Sequence, residues 1–221
     1  MDIRLILDFL RELQQNNSKE WMDRNREQYT KAKDEFYKVV AYLLEELRLF
    51  DKDLYRVTPK ECIFRINKND FSKKGEPPYK DHFAAGISPG GRHSPFANYV
   101  LVLSPGNSRA GGGMRQPQPK QLELIREEID YCPGELESIL NAPDFKESFG
   151  NLRGVQRKMA PKGYSKDHPA IDLIKCNGYQ VLHYFTDEEA CAPDFTERLL
   201  ALYRQVKPLH DFLNRPLNEQ T

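Results

Sequence analysis

Residues 64–82 read FRINKNDFSKKGEPPYKDH, and their side chains are of the types that an anion site would use. Between Arg65 and Lys80 five cations, Arg65, Lys68, Lys73, Lys74 and Lys80, stand against Asp70 and Glu76. A local positive excess on a loop attracts anions. Pro77 and Pro78 fix φ ahead of Tyr79 and Lys80, which lowers the ordering entropy a binding loop loses. Arg65 falls in the apolar run from Cys62 to Ile66, so its guanidinium is expected beside a strand, where a planar fork reads carboxylate or phosphate. A solvated connection between strands, with Arg65 salt-bridged to a helix carboxylate, fits the same composition.

Two other segments carry comparable chemistry. In GGGMRQPQP, residues 111–119, the glycines around Gly112 permit close backbone approach, and a helix start after Pro117 and Pro119 offers N–H groups to an anion. The spacing matches neither the phosphate loop nor the dinucleotide pattern, so a tight connection into a helix explains it equally well. Arg115 is the residue to test there. The third segment is KMAPKGYSKDHP, residues 158–169, preceded by Arg153 and Arg157. From Arg153 to Lys166 it holds five cations, Lys162 among them, with Asp167 as the nearest acid.

Asp81–His82 and Asp167–His168 are adjacent pairs in which a carboxylate can hold an imidazole for proton transfer. Neighbours on a strand point apart, however, so each pair is weak evidence for catalysis. His93, His183 and His210 are dispersed, and core or surface roles are their default. Cys62, Cys132, Cys176 and Cys191 form no CxxC pair and have no His at ligand spacing, so reduced thiols are expected, with no metal and no cofactor. The serine-hydrolase elbow and the SxxK arrangement are absent.

Composition bounds the rest. The 33 basic residues balance the 33 acidic ones, so no global field draws the chain to nucleic acid or to a membrane. The first residues lack a secretory cleavage pattern, and no stretch approaches the roughly 18 apolar residues of a spanning helix. A cytoplasmic protein is expected. At 221 residues the chain suits one core, and one domain over 1–221 is expected.

The elements that must position these residues are legible by period. Ile3, Ile6, Leu10 and Leu13 make a first short helix, and Trp21 to Leu47 keeps a stripe that predicts one helix from Ser18 to Arg48. Asn17 and Glu20 have capping-box spacing at its start. Asn25 sits on that stripe, where its amide must find partners in a buried network or at a pocket wall. Strands are predicted at Cys62–Ile66, Phe83–Ile87, Tyr99–Leu103, Val155–Met159 and Tyr179–Phe185. Helices are predicted after Pro119, over Glu135–Leu140, His168–Lys175 and Phe195–Leu213, the last kinked or divided by Pro208. The class is α+β: an antiparallel sheet flanked by helices, with a long N-terminal helical hairpin and a C-terminal helix.

The chain resembles a conserved, mostly bacterial domain family of unknown function. Four signatures carry the likeness: NNSKEWMDRNREQY (16–29), the FRI to PYK run (64–80), GGGMRQPQPKQLELIREEI (111–129) and PKGYSKDHP (161–169). The family's middle motif more often has arginine before the Phe-Ser pair, where this chain has Asp70. The resemblance implies one α+β domain in the cytoplasm and assigns no activity.

From the residues we expect Arg65, Lys73, Tyr79, Lys80, Gly112, Arg115 and Lys162 to line a basic cleft for a phosphate- or carboxylate-bearing small molecule. Tyr79 would serve as a stacking surface and His82 or His168 as a proton-transfer group. A protein-interaction module is the alternative, and nucleic-acid binding through the basic segments is a third reading. No oligomeric state is implied.

Overall fold

The computed structural model describes residues 1–68 and 75–218. Lys73, one of the expected ligand contacts, lies outside the described residues. In chain order the elements are α1 (Ile3–Gln15), α2 (Lys19–Arg24), α3 (Arg26–Arg48), α4 (Pro59–Cys62), β1 (Phe83–Ile87), β2 (Asn98–Leu103) and β3 (Ser108–Met114). They continue with α5 (Pro119–Tyr131), α6 (Pro133–Asn141), α7 (Pro143–Phe149), α8 (Ile171–Ile174), β4 (Tyr179–Phe185), α9 (Asp187–Ala190) and α10 (Phe195–Asn218). The four strands form one antiparallel sheet in the order β1-β2-β3-β4, as the α+β reading requires. Among the described residues no helix is long and apolar enough to cross a membrane.

The chain divides into two compact units. The first comprises Met1–Arg92, Val100–Ala110 and Tyr184–Leu200; the second comprises His93–Tyr99, Gly111–His183 and Ala201–Thr221. In the first, the apolar stripe of α1 (Ile3, Ile6, Leu7, Leu10, Leu13) is buried, as is that of α3 (Phe36, Val40, Leu43, Leu47), and the two helices pack together. Phe9, Trp21, Tyr29, Phe36 and Phe83 form an aromatic cluster with centroid separations of 5.4 to 6.4 Å. Rings at such spacing add to simple area burial.

The single helix predicted from Ser18 to Arg48 is interrupted at Asn25. Its Nδ2 and its backbone N–H both donate to the Trp21 carbonyl, at 2.8 and 3.0 Å, and so close α2 before α3 begins. A stripe of apolar residues carries across such a break, because both helices bury the same side. The strand predicted at Cys62–Ile66 is displaced: Thr58 and Glu61 make a capping box that starts α4, and only from Ile63 does the chain pair with β1.

In the second unit, the glycine run predicted as a connection is the end of strand β3. Gly113 has φ of 108°, and a Cβ there would lie 2.0 Å from the Tyr179 carbonyl oxygen. Gly112 meets the C-terminal helix: a Cβ would lie 2.5 Å from His210 Nε2 and 2.6 Å from Val206 Cγ1. The close approach that these glycines permit is therefore to the protein's own side chains, which corrects the reading of Gly112 as a ligand contact. The Gly113 N–H donates to His210 Nε2 at 2.9 Å, and the imidazole lies 4.3 Å from the Tyr99 ring. Pro208 does not divide α10.

His210 is fully buried, and desolvation, followed by the charge of Lys207, lowers its pKa to about 3. A hydrogen bond with the Asn98 backbone opposes this only in part. The folded pKa lies below the unfolded value of 6.5, so acid protonates the unfolded chain first and withdraws stability as pH falls from 6.5 toward 3. Between about pH 6 and pH 5 the unfolding free energy should fall by about 1 kcal/mol more in the parent than in His210→Gln. Urea denaturation at each pH measures it, and parallel slopes would refute the assignment. Gly112→Ala should cost about 2–3 kcal/mol in the same assay, because the methyl must displace the imidazole or α10.

Candidate functional site

The site in the first unit begins with a division of labour between Asn17 and Ser18. Ser18, rather than Asn17, caps α2: its Oγ accepts the Trp21 N–H at 3.2 Å. Asn17 is thereby free to reach Tyr79, 62 positions away. Its Nδ2 donates to the Tyr79 carbonyl at 3.0 Å, and its Oδ1 accepts the Tyr79 N–H at 3.1 Å. A carboxamide that pairs both backbone groups of one residue does the work of a neighbouring strand.

On its other side Tyr79 pairs with Asn67 in an antiparallel bridge. The Lys68 N–H donates to Pro78 O at 3.0 Å, Lys80 N–H to Ile66 O at 2.8 Å and Phe64 N–H to Ala84 O at 2.9 Å. Residues 63–68 and 78–85 thus form an irregular ribbon. The ring of Tyr79 is spent on this packing. Tyr79 is only 8% exposed, so the expected stacking surface is absent, and its place in the site is to fix the backbone before Lys80.

Lys80 Nζ donates to the Arg65 carbonyl at 2.8 Å and stands 5.9 Å from the Phe64 ring centroid. Its pKa is lowered, first by desolvation and then by the charge of Arg65. Arg65 is exposed, and among the described residues neither cation has a carboxylate partner. Lys68, by contrast, reaches Glu76 at 3.7 Å. Directly after Lys80, Asp81 Oδ1 lies 2.9 Å from His82 Nδ1, and that bond holds the carboxyl below its usual range. The proton therefore belongs on Nδ1, which leaves Nε2, without a partner among the described residues, to accept one.

The other expected contacts lie in the second unit. Arg115 and Lys162 are exposed and have no acid partner among the described residues. Lys162 is in a turn closed by Tyr164 N–H on Pro161 O at 3.2 Å, with Gly163 at φ of 97°. His168 is held on both nitrogens: Nδ1 accepts the Ala170 N–H at 3.0 Å, and Nε2 faces Asp130 Oδ1 at 3.0 Å. A ring so occupied has no free lone pair for a substrate proton. It fastens the PKGYSKDHP segment to α5.

Arg126, one turn before Asp130 on α5, went unread in the sequence. It is 8% exposed; its Nε donates to Ile174 O at 2.8 Å, and Nη2 donates to Cys176 O and Asn177 Oδ1, both at 3.1 Å. It completes the carbonyl end of α8, where a cation is favourable. A groove of about 700 Å³ in this unit is bordered by Leu140, Lys146, Leu152, Gln156, Leu173 and Cys176. Glu128, Cys132 and Glu135 bring ligand-type atoms within 4.8 Å of one another. Arg215 already bridges both carboxylates, at 2.5 and 2.7 Å, which opposes a metal there. All four thiols are free, and burial pushes that of Cys62 up to about 12.

The architecture is thus that of an antiparallel α+β protein whose four sequence signatures meet in pairs, the first two in one unit and the last two in the other. The chain belongs to the family described as conserved hypothetical protein (DUF2461), whose model matches residues 5–212. No curated protein and no solved structure matches it.

If the Asn17 clasp carries the ribbon, Asn17→Ala should cost about 1–3 kcal/mol in urea denaturation, because it strands two backbone groups. Asn17→Asp keeps the acceptor and loses the donor, so it should fall between. An Ala variant as stable as the parent would show that water replaces the amide.

Proposed function

We propose that the first unit binds a phosphate- or carboxylate-bearing small molecule at Arg65 and Lys80, with His82, oriented by Asp81, as the proton-transfer group beside it. One observation carries the reading. Lys80 is partly desolvated and held against the carbonyl of a second cation, and no acid among the described residues compensates either charge. A protein gains nothing in stability from that arrangement, whereas a bound anion offsets both the repulsion and the cost of desolvation by its own attraction for the two cations. The bond from Asp81 to His82 adds a base of the right tautomer. A cytoplasmic setting in a bacterium belongs to the same proposal, supported by the free thiols and by the resemblance to a mostly bacterial family.

The sign of the Lys80 shift makes the test specific. Its folded pKa lies below the usual 10.5 of a lysine, so the ammonium is a cost to the folded state at neutral pH, relieved only as pH rises toward that value. Lys80→Met should therefore melt at the parent temperature or above it in chloride buffer. In the parent, about 20 mM inorganic phosphate or succinate, at matched ionic strength, should raise the melting temperature by about 3–5 °C for a dissociation constant near 2 mM. Lys80→Met should lose that shift. A parent that ignores both anions, or a Lys80→Met variant that keeps the shift, would sink the proposal.

A further inference from the structure

Residues 153–158 of the second unit run beside the start of β4 without being a regular strand. Isolated antiparallel bridges join Arg153 to Gln180 and Gln156 to Cys176. The N–H groups of Arg153 and Arg157 donate inward, to Gln180 O at 2.6 Å and Lys175 O at 2.9 Å, and Val155 O accepts the Asn177 N–H at 3.0 Å. In an antiparallel ladder the alternate residues turn their backbone groups the other way. Those residues are Gly154, Gln156 and Lys158, and their N–H groups have no partner among the described residues.

The side chains follow the same alternation. Gly154 and Gln156 border the groove of about 700 Å³, together with Leu140, Leu152 and Leu173. Val155 and Met159 are 75% and 81% exposed. Arg157, Lys158, Lys162 and Lys166 are exposed as well, and none of the four has an acid partner among the described residues. The segment therefore offers unpaired donors at strand spacing, apolar side chains between cations, and a groove along one flank.

We propose that residues 153–158 are a docking edge that accepts an extended acidic peptide of a protein partner as an added strand. The outward N–H groups of Gly154, Gln156 and Lys158 pair with its carbonyls, and its carboxylates, on the face away from the groove, meet Arg157. The alternate side chains enter the groove. Strand addition takes its affinity from main-chain bonds and its selectivity from alternate side-chain pockets, and both are present here. A nucleic acid or an anionic membrane would use the cations but would leave a row of donors at two-residue spacing without a matching row of acceptors.

The test uses a fluorescein-labelled peptide of alternating Glu and Val, its Lys-Val counterpart, a single-stranded oligonucleotide and phosphatidylserine vesicles, each titrated against the full chain. The Glu-Val peptide should bind at least about tenfold tighter than the Lys-Val one and slow amide exchange at Gly154, Gln156 and Lys158 by at least about tenfold. Arg157→Glu/Lys158→Glu changes only exposed side chains and should weaken the peptide by at least about tenfold with the melting temperature unchanged. Gln156→Pro, which removes an outward donor, should weaken it too. The proposal fails if the three amides exchange at the same rate with peptide bound, or if only the oligonucleotide or the vesicles bind. It fails equally if self-association of the chain, rather than the peptide, protects them.

Discussion

A backbone N–H or C=O taken out of water has to be paired, and the regular elements of this protein leave several that they cannot pair themselves. Three polar side chains close those gaps. Asn17 pairs both groups of Tyr79, Arg126 collects the carbonyls that end α8, and His210 accepts the N–H of Gly113. Each is a long-range contact within its own unit, and each fixes a segment that has too few apolar residues to fix itself. The ribbon of residues 63–68 and 78–85 and the turn-rich 161–170 stretch both depend on this kind of support.

Where backbone pairing is that demanding, charge becomes informative. Some exposed cations of this chain find acids within one helical turn, as Lys31 does with Glu27 and Lys38 with Glu35. Such pairs contribute little and need no functional explanation. Lys80 and Arg65 differ from these pairs, since the ammonium is directed at a carbonyl of the other cation's own residue. The two Asp-His steps, identical in sequence, also separate. At 81–82 the carboxylate holds its neighbour and leaves one ring nitrogen open; at 168 the partner is Asp130, and the other nitrogen is used by the backbone.

Much of the fold was legible because its elements bury continuous stripes. The limits of β1 follow from a short apolar run, those of β4 from its aromatic and β-branched residues, and the start of α5 from a proline at N1. The misreadings have a common cause. The glycine run of β3 has no side chains to alternate, the break at Asn25 keeps its stripe in phase, and Asn17 has the local spacing of a cap while serving a distant residue. Of the site, the cations and the ribbon segment could be read, whereas Tyr79 as a buried anchor and Arg126 as a helix terminator could not. Whether a tyrosine faces water or core, and which carbonyls an arginine meets, depends on neighbours remote in the chain.

Periodicity, prolines and capping residues act over a few positions, so the class of fold, the order of most elements and the four signature segments can be read locally. Tertiary structure alone decided which of those segments carry unpaired charge or unpaired backbone. That outcome rests on contacts such as Asn17 with Tyr79 and His168 with Asp130, formed between residues that no local rule connects. Lys80 with Arg65 and the 153–158 edge are distinguished by what the folded chain brings together, an ammonium on the carbonyl of a second cation and a run of outward N–H groups.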